Sequence, residues 1–146
     1  MITQNLIDNE WSNALDGAEF SVYNPADGSE IARVPNSGKA DAERAINAAH
    51  RAFATWGKTT GHERSKLLRK WFDLIRKHSN ELTDLIAQEM GKPRAEALGE
   101  VIYGSRFVEW FAEEAKRGYG DVIPAPRADQ RLLTLRQPIG VVAAIT

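Results

Sequence analysis

The sequence predicts an α/β protein in which short antiparallel strands come first, four helices follow and a parallel sheet begins near the last residues. Three observations carry that prediction. Residues 1–35 alternate short apolar pairs with turn residues, residues 38–117 place apolar side chains at spacings of three and four, and Ile139 to Thr146 is almost wholly apolar and rich in β-branched residues.

In order along the chain, Leu6-Ile7 is followed by the turn pair Asp8-Asn9 and then Trp11. Phe20 to Tyr23 is followed by Asn24-Pro25-Ala26-Asp27-Gly28 and then Ile31 to Val34. Tight turns between short antiparallel strands fit this alternation. Pro35-Asn36-Ser37-Gly38 opens helix one, with Asp41 and Glu43 in its first turn, where the helix dipole favours negative charge. Its stripe of Ala42, Ala45, Ile46, Ala49, Phe53 and Trp56 predicts a buried face.

Thr60 followed by Glu63 is a capping box, so helix two starts near Gly61. Leu67, Leu68, Trp71, Leu74, Ile75 and His78 form its expected buried stripe, while Arg64, Lys66, Arg69, Lys70, Arg76 and Lys77 read as a solvated basic face. Ser79 or Asn80 is expected to cap helix three, which carries Leu82, Leu85, Ile86 and Met90 and ends at Gly91. Pro93 then starts helix four in its first turn.

Helix four reaches about Arg117 and is apolar on two sides. Leu98, Val101, Ile102, Ser105 and Val108 form one face; Tyr103, Phe107, Trp110 and Phe111 form the other. A helix apolar on two sides usually lies between two layers. Gly99 and Gly104 inside it predict close packing against a neighbour, since each costs about 1 kcal/mol relative to Ala. A loop over Gly118 to Pro126 leads to Leu132-Leu133-Thr134-Leu135-Arg136, which alternates as an edge strand would. The final apolar run predicts a strand buried on both faces of a parallel sheet. Such a strand needs a crossover and a second strand, so the sequence reads as the N-terminal part of a longer protein, cut where an α/β domain begins.

Composition excludes several classes of function. Nineteen Lys and Arg against 20 Asp and Glu give a formal net charge of −1, which argues against a nucleic-acid surface. The longest apolar run, Val141 to Ile145, is far too short to span a membrane, and the start lacks a signal-peptide layout, so the expectation is a cytoplasmic chain. No cysteine is present, which removes thiolate metal sites and thiol nucleophiles from these residues. His50, His62 and His78 have no metal-ligand spacing, so no metal site is expected. Gly118-Tyr119-Gly120 has Ile123 where a dinucleotide fingerprint needs a third glycine, and Gly91-Lys92-Pro93 lacks the rest of a phosphate loop.

Four segments together resemble the N-terminal third of the NAD(P)-dependent aldehyde dehydrogenases. They are Asn24 to Gly28, the alanine-rich helix ending in Trp56, Glu89-Met90-Gly91-Lys92-Pro93, and Gln137-Pro138-Ile139-Gly140-Val141-Val142-Ala143-Ala144-Ile145-Thr146. Within that family, Gly99 to Tyr103, Phe107 to Arg117 and Tyr119 to Pro124 are most similar to the succinate-semialdehyde dehydrogenases. Related glutarate- and hydroxy-aldehyde enzymes share much of this helix.

The resemblance implies a fold divided into residues 1–128, the N-terminal strands and helical part of the cofactor-binding domain; 129–137, a strand of an oligomerisation sheet; and 138–146, the first strand of a Rossmann-like sheet. It implies a parent enzyme that oxidises succinic semialdehyde, or a similar small aldehyde, to the acid. A cysteine thiohemiacetal forms on the way, NAD or NADP takes the hydride, and a glutamate and an asparagine assist. Those three catalytic groups fall outside these residues, so no catalytic residue is assigned and the 146-residue chain is expected to be inactive. Ile145 and Thr146 match the start of the cofactor-contacting strand end. Glu100, Tyr103 and Phe107, on one helical face by their spacing, match positions lining the aldehyde tunnel; plain helix packing explains the same spacing. Glu100 is expected at the tunnel mouth, exposed, because a buried carboxylate would repel an anionic aldehyde. The resemblance also implies a homo-oligomer, dimer or tetramer. The competing reading is a non-catalytic binding or assembly module derived from the same family.

Overall fold

The computed structural model describes residues 2–145. Strands β1 (Asn5–Ile7) and β2 (Glu10–Ser12) form an antiparallel hairpin turning through Asp8 and Asn9. Both turn residues have positive φ, 56° and 62°. That left-handed pair matches the twist of a two-residue hairpin, and Asp and Asn adopt it more readily than other residues with a Cβ. β3 (Glu19–Tyr23) and β4 (Glu30–Pro35) form a second hairpin with a register shift at Val22 and Tyr23. Its turn is held by its own side chains. Asn24 Oδ1 accepts from the Ala26 N–H at 2.9 Å, and Asp27 Oδ1 accepts from the Ser29 N–H and hydroxyl at 2.9 and 2.6 Å.

Helix α1 (Lys39–Trp56) starts at Gly38, and Asp41 is its anchor. This carboxylate is 4% exposed; one oxygen accepts from the Gly38 N–H and the other from the Leu15 N–H, both at 3.1 Å. Arg44 donates to the Ser12 hydroxyl and Arg51 to the Asp8 carboxylate, at 2.6 and 2.8 Å. These bonds rotate α1 so that Asp41, Ala45 and Ala48 face the β1–β2 hairpin. The stripe expected to be buried is therefore only partly covered: Ala45 and Phe53 are half-buried, whereas Ala42, Ile46, Ala49 and Trp56 are exposed.

Helices α2 (Gly61–Lys77), α3 (Ser79–Met90) and α4 (Arg94–Glu114) make the main packed layer, with α4 against both others, and a 3₁₀ turn over Ala115–Arg117 ends it. The buried contacts are small side chains: Ser65, Thr83, Ala97, Val101, Ser105 and Ala112. Small residues let helix axes approach closely. The buried hydroxyls are satisfied locally, Thr83 donating to the Ser79 carbonyl at 2.6 Å and Ser105 to the Ile102 carbonyl at 2.8 Å.

The Thr60 capping box forms as expected, with the Glu63 N–H donating to the Thr60 hydroxyl at 3.2 Å and the Thr60 N–H to the Glu63 carboxylate at 2.7 Å. The face of α2 differs from the expectation. Ser65, Leu68, Phe72 and Ile75 point inward, while Leu67, Trp71, Leu74 and His78 are exposed. Arg69 decides this rotation, since it reaches across to Glu109 and Glu113 of α4 at 2.8 and 2.9 Å. Of the basic residues, Arg64 and Arg69 are thus engaged with the protein; Lys66, Lys70, Arg76 and Lys77 are exposed. Gly61 lies so close to the 3₁₀ turn that a Cβ there would stand 2.2 Å from the Ala115 carbonyl oxygen.

No separate cap is placed at Ser79 or Asn80, because His78 ends α2 and α3 begins at the next residue. Gly91 ends α3 in the left-handed region, φ 64°, and a Cβ there would lie 2.9 Å from Pro25 Cγ in the β3–β4 turn. Pro93 stands at the N-cap of α4, one residue earlier than expected. The inward face of α4 is the expected one, but Tyr103, Phe107, Trp110 and Phe111 remain 48 to 65% exposed. Nothing among the described residues comes within 4 Å of a Cβ at Gly99 or Gly104, so the predicted close packing there is not made by this chain.

Past Gly120, β5 (Val122–Ile123) pairs antiparallel with β6 (Leu132–Leu133). The expected strand over 129–137 is thus only two residues long, and its partner lies in the segment read as a loop. Residues 138–145 contain no strand, and Ile139, Val142 and Ile145 are 92, 70 and 96% exposed. A strand buried on both faces needs neighbours for its N–H and C=O groups, and the described residues offer none. The fold class, α/β with four helices and short antiparallel strand pairs, is the expected one; the parallel strand is not formed.

Candidate functional site

The candidate site is the side of α4 that turns away from α2 and α3. Val101, Ser105 and Ala112 face those helices, which leaves Glu100, Tyr103 and Phe107 on the outside, three and four residues apart. Tyr103 and Phe107 stack edge to face, with ring centroids 4.9 Å apart and planes at 88°. With Arg106, Trp110 and Phe111 they line an open groove of about 380 Å³. Helical spacing alone assembles this groove.

Glu100 is half-exposed and is ion-paired with Lys92. The Lys92 side chain is only 19% exposed, so its ammonium lies against the protein and approaches Glu100 from the α3–α4 corner. The pairing removes the bare negative charge that would oppose an anionic ligand. Lys92 was not visible in the sequence as a partner, because it precedes the helix and its distance from Glu100 follows from the turn at Gly91. Arg106 was missed as well, although its place one residue before Phe107 on the aromatic side of the helix was a signal that could have found it.

Two carboxylates of this helix, Glu109 and Glu113, are committed to Arg69 of α2. Lys116 first, and Arg69 second, hold the Glu113 carboxyl below the ordinary glutamate range, and the two carboxylates in turn raise the Arg69 guanidinium. Ile145 has its side chain almost wholly in solvent and is not gathered to the α4 groove; Thr146 lies outside the described residues. Among the described residues no group of acidic or His side chains is placed to hold a metal ion.

A profile of the aldehyde dehydrogenase family matches residues 11–146. The chain belongs to that family. It is 53% identical to a 3-sulfolactaldehyde dehydrogenase of Pseudomonas putida over 143 residues, 98% of this chain and 29% of that protein. It is 49% identical to the succinate-semialdehyde dehydrogenase (NADP(+)) GabD of Escherichia coli (strain K12), over 98% of this chain and 30% of that protein. Among solved structures, succinate-semialdehyde dehydrogenase from Burkholderia pseudomallei superposes with a TM-score of 0.91 at 45% identity, covering 94% of this chain and 28% of that one. The chain therefore spans somewhat under a third of the length of these relatives.

The name of the Escherichia coli relative specifies NADP(+), and the described residues do not by themselves form a cradle for such a dinucleotide. Ile145 lies in an exposed segment, and the glycine-rich fingerprint is lacking.

Proposed function

We propose that residues 1–146 supply the N-terminal part of an NAD(P)-dependent aldehyde dehydrogenase that oxidises succinic semialdehyde, or a similar small aldehyde with a distal anionic group, to the carboxylic acid. The observation that carries this reading is the family match from residue 11 onward, together with relatives near 50% identity whose names specify semialdehyde and sulfolactaldehyde substrates. In this reading Glu100, Tyr103 and Phe107 border the aldehyde's entrance, with the edge-to-face rings as its apolar wall and Lys92 holding Glu100 aside. Ile145 and Thr146 belong to the edge of the cofactor site, and NAD or NADP accepts the hydride.

The 146 residues hold no cysteine, so a thiol nucleophile has to come from elsewhere in the polypeptide. The β5–β6 pair, two residues to a strand and open at its edges, supports assembly into a dimer or tetramer through that sheet. The test is formation of reduced nicotinamide, read by absorbance, from succinic semialdehyde by the full-length protein carrying this segment and by residues 1–146 alone. Light scattering is run on the same samples. Turnover and oligomerisation of the full-length protein, with no turnover by residues 1–146, are expected. Turnover by residues 1–146, or an inactive full-length protein, would overturn the reading, and an inactive but oligomeric one would favour an assembly module.

A further inference from the structure

We propose that Arg106 is a specificity-determining residue of the aldehyde entrance, drawing in substrates that carry a carboxylate or sulfonate at the end remote from the aldehyde. The inference rests on the entrance reading above and names the class of substrate that entrance selects. Four observations lead to it.

First, Arg106 is exposed and lines the groove together with Tyr103, Phe107, Trp110 and Phe111, so its guanidinium borders an otherwise aromatic surface. Second, that guanidinium makes no ion pair or side-chain hydrogen bond among the described residues, whereas Arg69, Arg94 and Arg127 are each held by a carboxylate. Among the described residues no carboxylate neutralises Arg106. Third, the acidic groups that could cancel it are already engaged: Glu100 with Lys92, and Glu109 and Glu113 with Arg69. The nearest carboxylate along the helix, Glu109, turns its oxygen toward α2 rather than toward the groove. Fourth, the rings give an alkyl chain an apolar surface to lie on, while Arg106 offers a planar pair of donors that matches a carboxylate or sulfonate.

An aldehyde with a short chain and a distal anion satisfies both halves of this surface. A neutral aldehyde of equal length uses only the apolar half. Because the arginine is exposed, its effect is one of encounter and selection and is weakened by salt.

The experiment measures kcat/KM of the full-length enzyme for succinic semialdehyde, for a sulfonate-bearing aldehyde and for butanal, and takes the ratio of each anionic substrate to butanal. In R106Q and R106M both ratios should fall about three- to tenfold, with R106K falling less, and in the unaltered enzyme both ratios should decline as ionic strength rises. A fall for only one anion identifies whether carboxylate or sulfonate is the group recognised. Ratios unchanged in the variants, or independent of salt in the unaltered enzyme, would overturn the role of Arg106. Failure of the unaltered enzyme to oxidise any of the three aldehydes would instead remove the functional reading beneath it.

Discussion

Glu63 accepts from the Thr60 N–H at 2.7 Å and from the Thr60 hydroxyl at 2.8 Å, and these bonds hold its carboxyl below the ordinary glutamate range. A depressed carboxylate contributes stability that is present above its unfolded value of 4.5 and is lost as pH falls through the lower folded value. The Glu63→Gln protein should therefore lose less stability on acidification than the unaltered one, in thermal melts run from neutral pH down into the acid range; parallel pH profiles would contradict the assignment. This cap was legible in the sequence because its chemistry is local, a hydroxyl and a carboxylate three residues apart. The buried side chains of Ser65 and Thr83 were not, whereas spacing did place Ser105 on an apolar face. A hydrophobic pattern counts such residues as polar, and only the structure shows the carbonyls that satisfy Thr83 and Ser105.

At the scale of elements, the position of every helix followed from periodicity and its punctuation, but which stripe of α1 and of α2 faces inward did not. On α2 both Leu67-Trp71-Leu74 and Leu68-Phe72-Ile75 are apolar, and the pair Arg69 to Glu109 and Glu113 selects the second. An ion pair between helices cannot be read from either helix alone. The same holds for α1, where Asp41, Arg44 and Arg51 fix the rotation through bonds to the hairpin side. Gly61 gives a test of how tightly α2 is seated. In Gly61→Ala the new Cβ meets a backbone oxygen, which a side-chain rotation cannot relieve. The expected loss is about 1 to 3 kcal/mol, measured by denaturant unfolding, despite the better helix propensity of Ala. A stabilised protein would show that the 3₁₀ turn yields freely.

Over the whole molecule, the parts of the candidate site legible in the sequence were those on one helix face: Glu100, Tyr103 and Phe107. Lys92 was hidden because the corner at Gly91 sets its approach, and the final apolar run stays unpaired because sheet formation depends on strands the described residues do not contain. Strand pairing is a non-local property, and a single strand's sequence states only its preference. The seat of Gly91 on Pro25 has a kinetic side. The β3–β4 hairpin and the α3–α4 corner each form from neighbouring residues, whereas their meeting closes a long stretch of chain and is favourable only once both are built. On that order the contact is expected to form late on the folding route, after the transition state. Pro25→Ala should then leave the refolding limb in stopped-flow experiments almost unchanged and raise only the unfolding rate, whereas a slower refolding limb would place the latch in the nucleus. On this expectation the corner that brings Lys92 to Glu100 is guarded by a catch that sets how long the native arrangement lasts, not how quickly it is reached.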